Sequence, residues 1–254
     1  MRPKKSYIIW FSQRNGSTLL SKGLEQTEIA GKPRELFTLL ENDTLCQTYK
    51  VATYEQLKEK LWELGSSENG VFGIKTSIYA KVFKNIIQEI AELRGLGKNE
   101  ISESEILADI FPNCQHIYLT RRNKIRQAVS WWKAIKDDVW HLTAKDNHTE
   151  QASFYESQYN FDALHHLFRE ATLRECAMQA YFTRNKIIPI TLVYEDFTVD
   201  YENTIKRIIE FLGLPSNSLI VEEKFYKKTA TELSEIWVQR FRKDLQAKMG
   251  VETW

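Results

Sequence analysis

One stretch near the N-terminus, Tyr7–Leu20, constrains the fold more than any other part of the sequence. It begins with the apolar segment Tyr7–Phe11, continues through the polar segment Ser12–Thr18, and then resumes an apolar spacing typical of a helix. A buried strand that leads through a loop into a helix brings together the unpaired N–H groups of the first helical turn, and such groups bind anions. The stretch therefore predicts a phosphate-binding loop.

The residue types in this loop suit an anion. Gly16 allows close approach of the backbone, Ser17 and Thr18 add hydroxyl donors, and Arg14 adds a permanent positive charge. The pattern Gly-x4-Gly-Lys-Ser/Thr of ATPases and kinases is absent, because Phe11 stands at its first glycine and Ser17 at its lysine. An ordinary ATPase or kinase loop is therefore disfavoured. A strand–turn–helix connection with an incidental Ser–Thr cap is the alternative.

Composition limits the class of protein and its partners. The chain of 254 residues is 43% hydrophobic, which is enough to bury a substantial core in one large domain or two small ones. Its formal charge is only +1, so the whole surface does not attract nucleic acid, and an anion site has to be local.

The cysteines and the hydropathy indicate an ordinary intracellular protein. Cys46, Cys114 and Cys176 are widely separated and odd in number, and none has a histidine at ligand spacing. We expect reduced thiols and no metal site. No apolar run is long enough for a transmembrane helix, which needs about 18 residues. A cytoplasmic location is therefore expected.

Four short apolar segments alternate with helical patterns along the chain. This alternation predicts an α/β fold in which a central parallel sheet is flanked by helices in three layers, formed by residues 1–254 as a single domain. The stretch Gly95–Ser104 has the most loop-like composition. The expected strands are Tyr7–Phe11, Val71–Ile74, His116–Thr120 and Ile187–Val193. The expected helices are Ser17–Thr27, Thr53–Leu64, Asn123–Ala134, Asp162–Asn185, Thr204–Leu212 and a segment around Trp237, and Tyr79–Arg94 is a long amphipathic stretch.

Polar side chains follow each expected strand. They are the loop residues Arg14 to Thr18 after the first, Lys75 after the second, Arg121 and Arg122 after the third, and Tyr194 after the fourth. Because ligands of such sheets bind at the carboxyl ends of the strands, these groups are expected to converge. They suit a phosphorylated ligand.

The same residues resemble the sulfotransferases that use 3'-phosphoadenosine 5'-phosphosulfate (PAPS), and among them the bacterial trehalose sulfotransferase family. Ser12–Leu20 is similar to that family's loop Ser-Gln-Arg-Ser-Gly-Ser-Thr-Leu-Leu, and Gly31–Phe37 is similar to its Gly-Glu-Pro-x-Glu-Phe-Phe segment. Arg122 and Ser130 match the strand-end arginine and helix serine that bind the 3'-phosphate. The resemblance implies a P-loop-like fold, PAPS as co-substrate, 3'-phosphoadenosine 5'-phosphate as product, and no metal.

The resemblance also implies roles for individual residues. Arg14 stands where cytosolic sulfotransferases have lysine, and Lys75 resembles the lysine of their Lys-Thr-His segment, so both are implied to stabilise charge. The histidine base of that segment is Ser77 here, and Glu35 is the implied general base. Tyr194 resembles the residue that contacts adenine. The loop residues implied to bind the cofactor are Arg14, Asn15, Gly16, Ser17, Thr18 and Leu19.

Departures from the family pattern leave the acceptor open. Lys32 and Arg34 differ from the acidic and amide residues of the trehalose enzymes, so the acceptor is expected to be a carbohydrate or a glycolipid of undetermined identity. The aromatic stretch Trp131–Tyr159 is a candidate lining for its pocket. Lys227 and Lys228 either close over the 3'-phosphate or form a solvated charge pair. The resemblance further implies a possible homodimer.

Two other functions are compatible with a phosphate loop. A nucleotide or sugar kinase on a related core would require magnesium and a lysine in the loop. A non-catalytic module that binds a nucleotide or a glycan would keep the loop but tolerate Glu35→Ala, whereas an enzyme that uses this base would lose about 100-fold or more in rate.

Overall fold

The structure, a computed structural model, describes residues 2–39, 43–79, 81–96, 102–141, 157–216, 221 and 230–252. A four-stranded sheet lies at the centre, and all its strand pairs are parallel. In spatial order the strands are β2 (Val71–Thr76), β1 (Lys5–Phe11), β3 (Cys114–Thr120) and β4 (Ile190–Val193). The predicted α/β fold with a parallel sheet flanked by helices is confirmed.

Ten helices lie wholly within the described residues. They are α1 (Ser17–Gln26), α2 (Leu45–Tyr49), α3 (Tyr54–Gly65), α4 (Val82–Leu93), α5 (Glu103–Leu107), α6 (Lys124–Asp137), α7 (Phe161–Arg184), α8 (Tyr194–Val199), α9 (Tyr201–Phe211) and α10 (Glu232–Met249). None of them is both long enough and apolar enough to cross a membrane.

The first strand is apolar along its whole length because helices cover both faces of the sheet. Ile8 and Trp10 pack into a core formed with α3, α4, α5 and the C-terminal part of α7. Tyr7 and Ile9 point to the opposite face and pack against α1, α8 and α9. This alternation of side chains fixes the register of β1, since a shift by one residue would exchange the two faces.

The strand order determines where a ligand can bind. β1 pairs with β2 on one side and with β3 on the other, so Ile8 lies between Ile74 and His116. The chain leaves the carboxyl end of β1 between these two neighbours, and this is the point in open α/β sheets where ligands bind. A third core is formed by α6, α10 and the N-terminal part of α7, and it includes residues such as Trp131 and Phe241.

Several predicted boundaries were wrong. β2 continues to Thr76, so Lys75 belongs to the strand. β4 begins at Ile190 rather than Ile187, because Pro189 has no N–H to donate to a neighbouring strand and Ile188 is 92% exposed. Within the amphipathic stretch Tyr79–Arg94, the helix α4 begins at Val82.

Short helices were also missed. The segment expected to be loop ends in α5, which begins after a capping box of Ser102 and Glu105. α2 begins after a similar box of Thr44 and Gln47. These helices of five residues each are held by their caps, and they are too short to show a helical period.

Candidate active site

The binding loop, residues 12–16, connects β1 to α1 at the centre of the sheet's carboxyl edge. Arg14 and Gly16 both have left-handed backbone conformations, with φ values of 64° and 89°. Such residues in a turn direct neighbouring N–H groups toward one point and create an anion-binding concavity. Gly16 is also the N-cap of α1, and having no side chain it leaves the first-turn N–H groups accessible to a ligand.

An aromatic ring packs directly on this loop. A Cβ atom added to Gly16 would lie 2.6 Å from Cδ2 of Tyr194, so glycine is required for the contact. The guanidinium carbon of Arg121 lies 4.6 Å from the centre of the same ring, and Nη1 of Arg121 donates to the carbonyl oxygen of Arg14 at 3.0 Å. Tyr194 and Arg121 therefore join the ends of β4 and β3 to the loop.

Buried amides fix the loop from behind. Nδ2 of Asn15 donates to the carbonyl oxygen of Leu119 in β3. Nε2 of Gln127 in α6 donates to Oγ of Ser12 at 2.8 Å and to the carbonyl oxygen of Gln13 at 2.7 Å. The Asn15 side chain therefore holds the loop to the end of β3.

A buried carboxylate that sequence reasoning missed completes this support. Oε1 of Glu175 in α7 accepts from Ser12 Oγ at 2.9 Å and from Lys124 Nζ at 2.6 Å. Its other oxygen, Oε2, accepts from Thr120 Oγ1 at 2.8 Å. Lys124 neutralises the carboxylate, and all three partners are hydrogen-bond donors, so burial of this charge is compensated. The network ties β1, β3, α6 and α7 together beneath the loop.

Three of the predicted site residues meet at the mouth of the loop. Nζ of Lys75 lies 2.9 Å from Oε1 of Glu35 and 3.0 Å from Oγ1 of Thr18. The backbone N–H of Lys75 donates to the carbonyl oxygen of Arg34 at 2.9 Å, which aligns the segment before Glu35 with the edge of β2. Glu35, the implied general base, therefore lies at the mouth of the loop, and the neighbouring Arg34 pairs with Glu25.

Arg14 reaches across the mouth of the loop toward α6. Its Nε donates to Oγ of Ser130 at 3.1 Å, and its Nη1 donates to the carbonyl oxygen of Trp140. Burial, followed by the neighbouring charge of Arg121, lowers the pKa of Arg14 to about 10, while Tyr194 acts in the opposite direction. The guanidinium thus stays protonated at neutral pH and brings positive charge to the site.

The side chain of Arg122 pairs with a residue of α8, while Ser130 contacts Arg14. The Arg122 side chain is 62% exposed, and its Nη2 bonds both carboxylate oxygens of Asp196 at 2.9 and 2.7 Å. Arg121 is the buried member of the pair, since consecutive side chains at a strand end point in opposite directions. In the structure Ser130 therefore contacts Arg14, and Arg122 contacts α8.

The turn that carries Arg122 is held by a second carboxylate. Glu195 accepts hydrogen bonds from the backbone N–H groups of Arg122 and Asn123 at 2.9 and 3.1 Å. Burial alone would raise the pKa of Glu195, but these backbone donors and the charge of Arg121 hold the pKa below its usual range. α8 therefore positions the end of β3 as well as the ring of Tyr194.

A third arginine, Arg174, stacks on two aromatic rings and contacts the loop through Gln13. The guanidinium carbon of Arg174 in α7 lies 4.1 Å from the ring centre of Tyr79 and 4.9 Å from that of Trp131. Its Nη1 donates to Oε1 of Gln13, and Nε and Nη2 contact Glu170. Arg174 therefore connects an exposed aromatic residue after β2 to the residue that precedes Arg14.

Two expectations lie partly or wholly outside the described residues. Lys227 and Lys228 are not described, and neither are residues 142–156 of the aromatic stretch that was a candidate acceptor lining. Within the part of the chain that the structure describes, no three histidine, cysteine or carboxylate side chains cluster in a way that would hold a metal ion.

A parallel sheet with a glycine-containing loop at its carboxyl edge, and with two cations and a carboxylate at the mouth of that loop, is the arrangement of a P-loop-like group transferase. The chain belongs to the Stf0 sulphotransferase family, whose model matches residues 6–244. The resemblance noted in the sequence is thereby confirmed, and sulfuryl transfer is the reaction of this family.

Individual relatives agree with this assignment. A trehalose 2-sulfotransferase of Mycolicibacterium smegmatis is 23% identical, and the match covers 95% of this chain and 96% of the relative. A trehalose 2-sulfotransferase of Mycobacterium tuberculosis is 24% identical, with 99% of both chains covered. A sulfotransferase structure from Alicyclobacillus acidocaldarius matches with a TM-score of 0.50 at 14% identity, covering 100% of this chain and 98% of the other, which supports the fold.

Proposed function

We propose that the protein transfers a sulfuryl group from PAPS to a hydroxyl of a carbohydrate or glycolipid by in-line displacement, with Glu35 as general base. The observation that carries this proposal is the chain of contacts from Glu35 through Lys75 to Thr18. It joins a carboxylate, a cation and the first turn of α1 within hydrogen-bonding distance. A hydroxyl beside Glu35 would thus lie at the mouth of the loop that is suited to the phosphosulfate.

The donor fits the charges and donors at the loop. The N–H groups of residues 15–19 and the hydroxyls of Ser17 and Thr18 would receive the 5'-phosphosulfate. Arg14 and Lys75 would offset its negative charge. Tyr194, whose ring packs on Gly16, is suited to contact the adenine.

The 3'-phosphate is assigned to Ser130 and Arg122 by the family resemblance. Ser130 lies beside Arg14, so a phosphate at its hydroxyl would also meet a guanidinium. Arg122 would have to exchange its contact with Asp196 for the phosphate, and its exposure leaves it free to move. Binding of the 3'-phosphate by Arg122 is therefore a prediction that a variant can test.

The proposed reaction follows the general scheme of in-line group transfer. The acceptor oxygen attacks sulfur and forms a new S–O bond, while the bond from sulfur to the bridging oxygen breaks and its electron pair leaves with the 5'-phosphate. Glu35 takes the hydroxyl proton as the new bond forms. Lys75 and Arg14 stabilise the charge that develops on the transferring group and the leaving oxygen.

A sugar acceptor is supported by the two relatives named as trehalose 2-sulfotransferases. The carboxylate of Glu35 is 38% exposed, whereas the side chain of Lys75 is 8% exposed, so the proposed base is open to an incoming molecule and the cation faces the loop. Trehalose is the first acceptor to test, together with a panel of other mono- and disaccharides.

The proposal is tested first on the wild-type chain by calorimetry with 3',5'-adenosine bisphosphate, beside ATP and AMP. Micromolar binding that requires the 3'-phosphate would support the donor assignment, and a preference for ATP would overturn it. Transfer of radioactive sulfur from PAPS to the sugar panel is then measured in excess chelator. Sugar sulfation that persists is the expected result, and a strict magnesium requirement would favour a kinase.

A further inference from the structure

The segment that follows α6 folds back over the mouth of the binding loop. α6 ends at Asp137, and the next residue, Asp138, has a left-handed conformation with φ of 52°, which ends the helix and turns the chain. Two residues later the carbonyl oxygen of Trp140 accepts a hydrogen bond from Nη1 of Arg14. His141, the next residue along, is thereby brought to the site.

The surroundings of His141 come from three separate elements. Its imidazole interacts electrostatically with Arg14 of the loop, Lys75 of β2 and Glu35 of the segment beside β2. These are the residues assigned above to charge stabilisation and proton removal. The residue lies at the surface with its imidazole only partly buried, so a molecule that approaches Glu35 from solvent can reach it.

The protonation state of His141 suits contact with a hydroxyl. Partial burial first, and then the positive charges of Arg14 and Lys75, lower the pKa of His141 to about 4, while Glu35 opposes them. The imidazole is therefore neutral at physiological pH and has one N–H donor and one nitrogen acceptor. A sugar hydroxyl, which both donates and accepts, matches either nitrogen.

The position expected to carry a histidine offers no such group. Ser77 stands where the Lys-Thr-His segment of cytosolic sulfotransferases has its base, and its Oγ is buried. Ser77 therefore presents no hydroxyl to an incoming acceptor. His141 brings an imidazole to the same group of residues from the end of α6.

We propose that His141 binds the acceptor through a second hydroxyl of the sugar and so orients the reacting hydroxyl toward Glu35. This inference rests on the proposed function and makes it more specific, because it requires an acceptor with at least two hydroxyls, as in a sugar ring. His141 is a substrate-binding residue in this assignment, and Glu35 alone takes the proton.

The test compares His141→Ala and His141→Gln with the wild type, using trehalose or whichever sugar of the panel the wild type sulfates. Loss of one hydrogen bond predicts that His141→Ala raises the acceptor KM about tenfold with a smaller change in kcat. Glutamine also offers a donor and an acceptor, so His141→Gln should stay within about threefold of wild type. The matched control is His166→Ala, an exposed histidine on α7.

A second measurement separates acceptor binding from support of Arg14. The Kd for 3',5'-adenosine bisphosphate should be unchanged in His141→Ala, because the contact between Arg14 and this segment uses the backbone of Trp140. Monodeoxy analogues of the sugar identify the partner hydroxyl: one analogue should raise KM for the wild type and cause no further rise in His141→Ala.

The outcomes distinguish the two levels of the proposal. An unchanged acceptor KM in His141→Ala would overturn the role of His141. A loss of bisphosphate affinity as large as the rise in acceptor KM would also overturn it, because it would mean that His141 supports the binding loop. Failure of the wild type to bind 3',5'-adenosine bisphosphate or to sulfate any sugar would overturn the proposed function itself, and the inference with it.

Discussion

Oε1 of Glu35 lies 2.9 Å from Nζ of Lys75, and this ion pair joins the proposed acceptor side of the site to the proposed donor side. The two backbones are aligned by the hydrogen bond from Lys75 N–H to the carbonyl oxygen of Arg34. Lys75 also contacts Thr18, in the first turn of the helix that follows the loop. A change at Glu35 should therefore affect proton removal, while a change on the loop should affect donor binding.

Glu35→Gln is expected to lower kcat about 100-fold or more, because glutamine cannot take a proton from the acceptor. The affinity for 3',5'-adenosine bisphosphate should stay near that of the wild type, since the carboxylate lies on the proposed acceptor side. Steady-state kinetics and calorimetry on the same preparation measure both. The matched control is Glu25→Gln, a carboxylate that pairs with Arg34 and Lys22 away from the loop and should leave kcat unchanged. A variant at Glu35 with full activity would remove the base from the mechanism.

Gly16→Ala should abolish binding to the loop. Alanine at φ of 89° is strained by about 1–2 kcal/mol, and its Cβ would also collide with the ring of Tyr194 at 2.6 Å. Gly95→Ala separates the two effects, because Gly95 has a similar φ of 70° but an added Cβ meets nothing within 4 Å. Urea unfolding should show a lower free energy of unfolding in both variants than in the wild type. Calorimetry should show a loss of affinity for 3',5'-adenosine bisphosphate only in Gly16→Ala. Equal affinity in both variants would contradict the role of the loop.

Much of the fold was predictable because the strongest signals are local. The unbroken apolar run of β1 reflects burial on both faces of the sheet, and the alternation of strands with long helices indicates parallel pairing. Boundaries were harder to predict. Ile187 and Ile188 have strong strand propensity, but Pro189 interrupts the pairing. The five-residue helices α2 and α5 depend on capping hydrogen bonds that no periodicity reveals.

The site was predictable where its residues are adjacent in sequence or immediately follow strands, as in the loop and at Lys75. Sequence alone did not distinguish Arg121 from Arg122, because the direction of each side chain depends on how the strand ends. Glu175, Arg174 and His141 were missed because they reach the loop from helices or turns that are distant in sequence and belong to no motif.

Arg122 and Asp196 provide a paired test of the 3'-phosphate assignment. Arg122→Ala should weaken binding of 3',5'-adenosine bisphosphate about tenfold or more, the effect of losing a charge-assisted hydrogen bond. Asp196→Asn should leave binding equal to or tighter than wild type, because it releases Arg122 from its ion pair. Calorimetry with 5'-AMP, which lacks the 3'-phosphate, should show no difference among the three proteins. Unchanged bisphosphate affinity in Arg122→Ala would exclude Arg122 from the site.

His116 should make the stability of the fold depend on pH. Nδ1 of His116 accepts from Nε1 of Trp10 at 3.0 Å, and burial lowers the pKa of His116 to about 4. In the unfolded chain the pKa of histidine is about 6.5, so between these values the unfolded state binds a proton that the folded state does not. The free energy of unfolding should therefore be highest above pH 6.5 and fall by up to about 3 kcal/mol as the pH drops toward 4.

Urea unfolding at pH values between 7 and 4.5 tests this effect by comparison of His116→Gln with the wild type, since carboxylates and other histidines titrate in both. Glutamine retains an acceptor for Trp10 but takes up no proton, so the variant should lose less stability on acidification. The exposed His166, changed to glutamine, should leave the pH dependence as in the wild type. A His116→Gln slope equal to that of the wild type would mean that His116 takes up its proton equally in both states, and the neutral pairing with Trp10 would then be wrong.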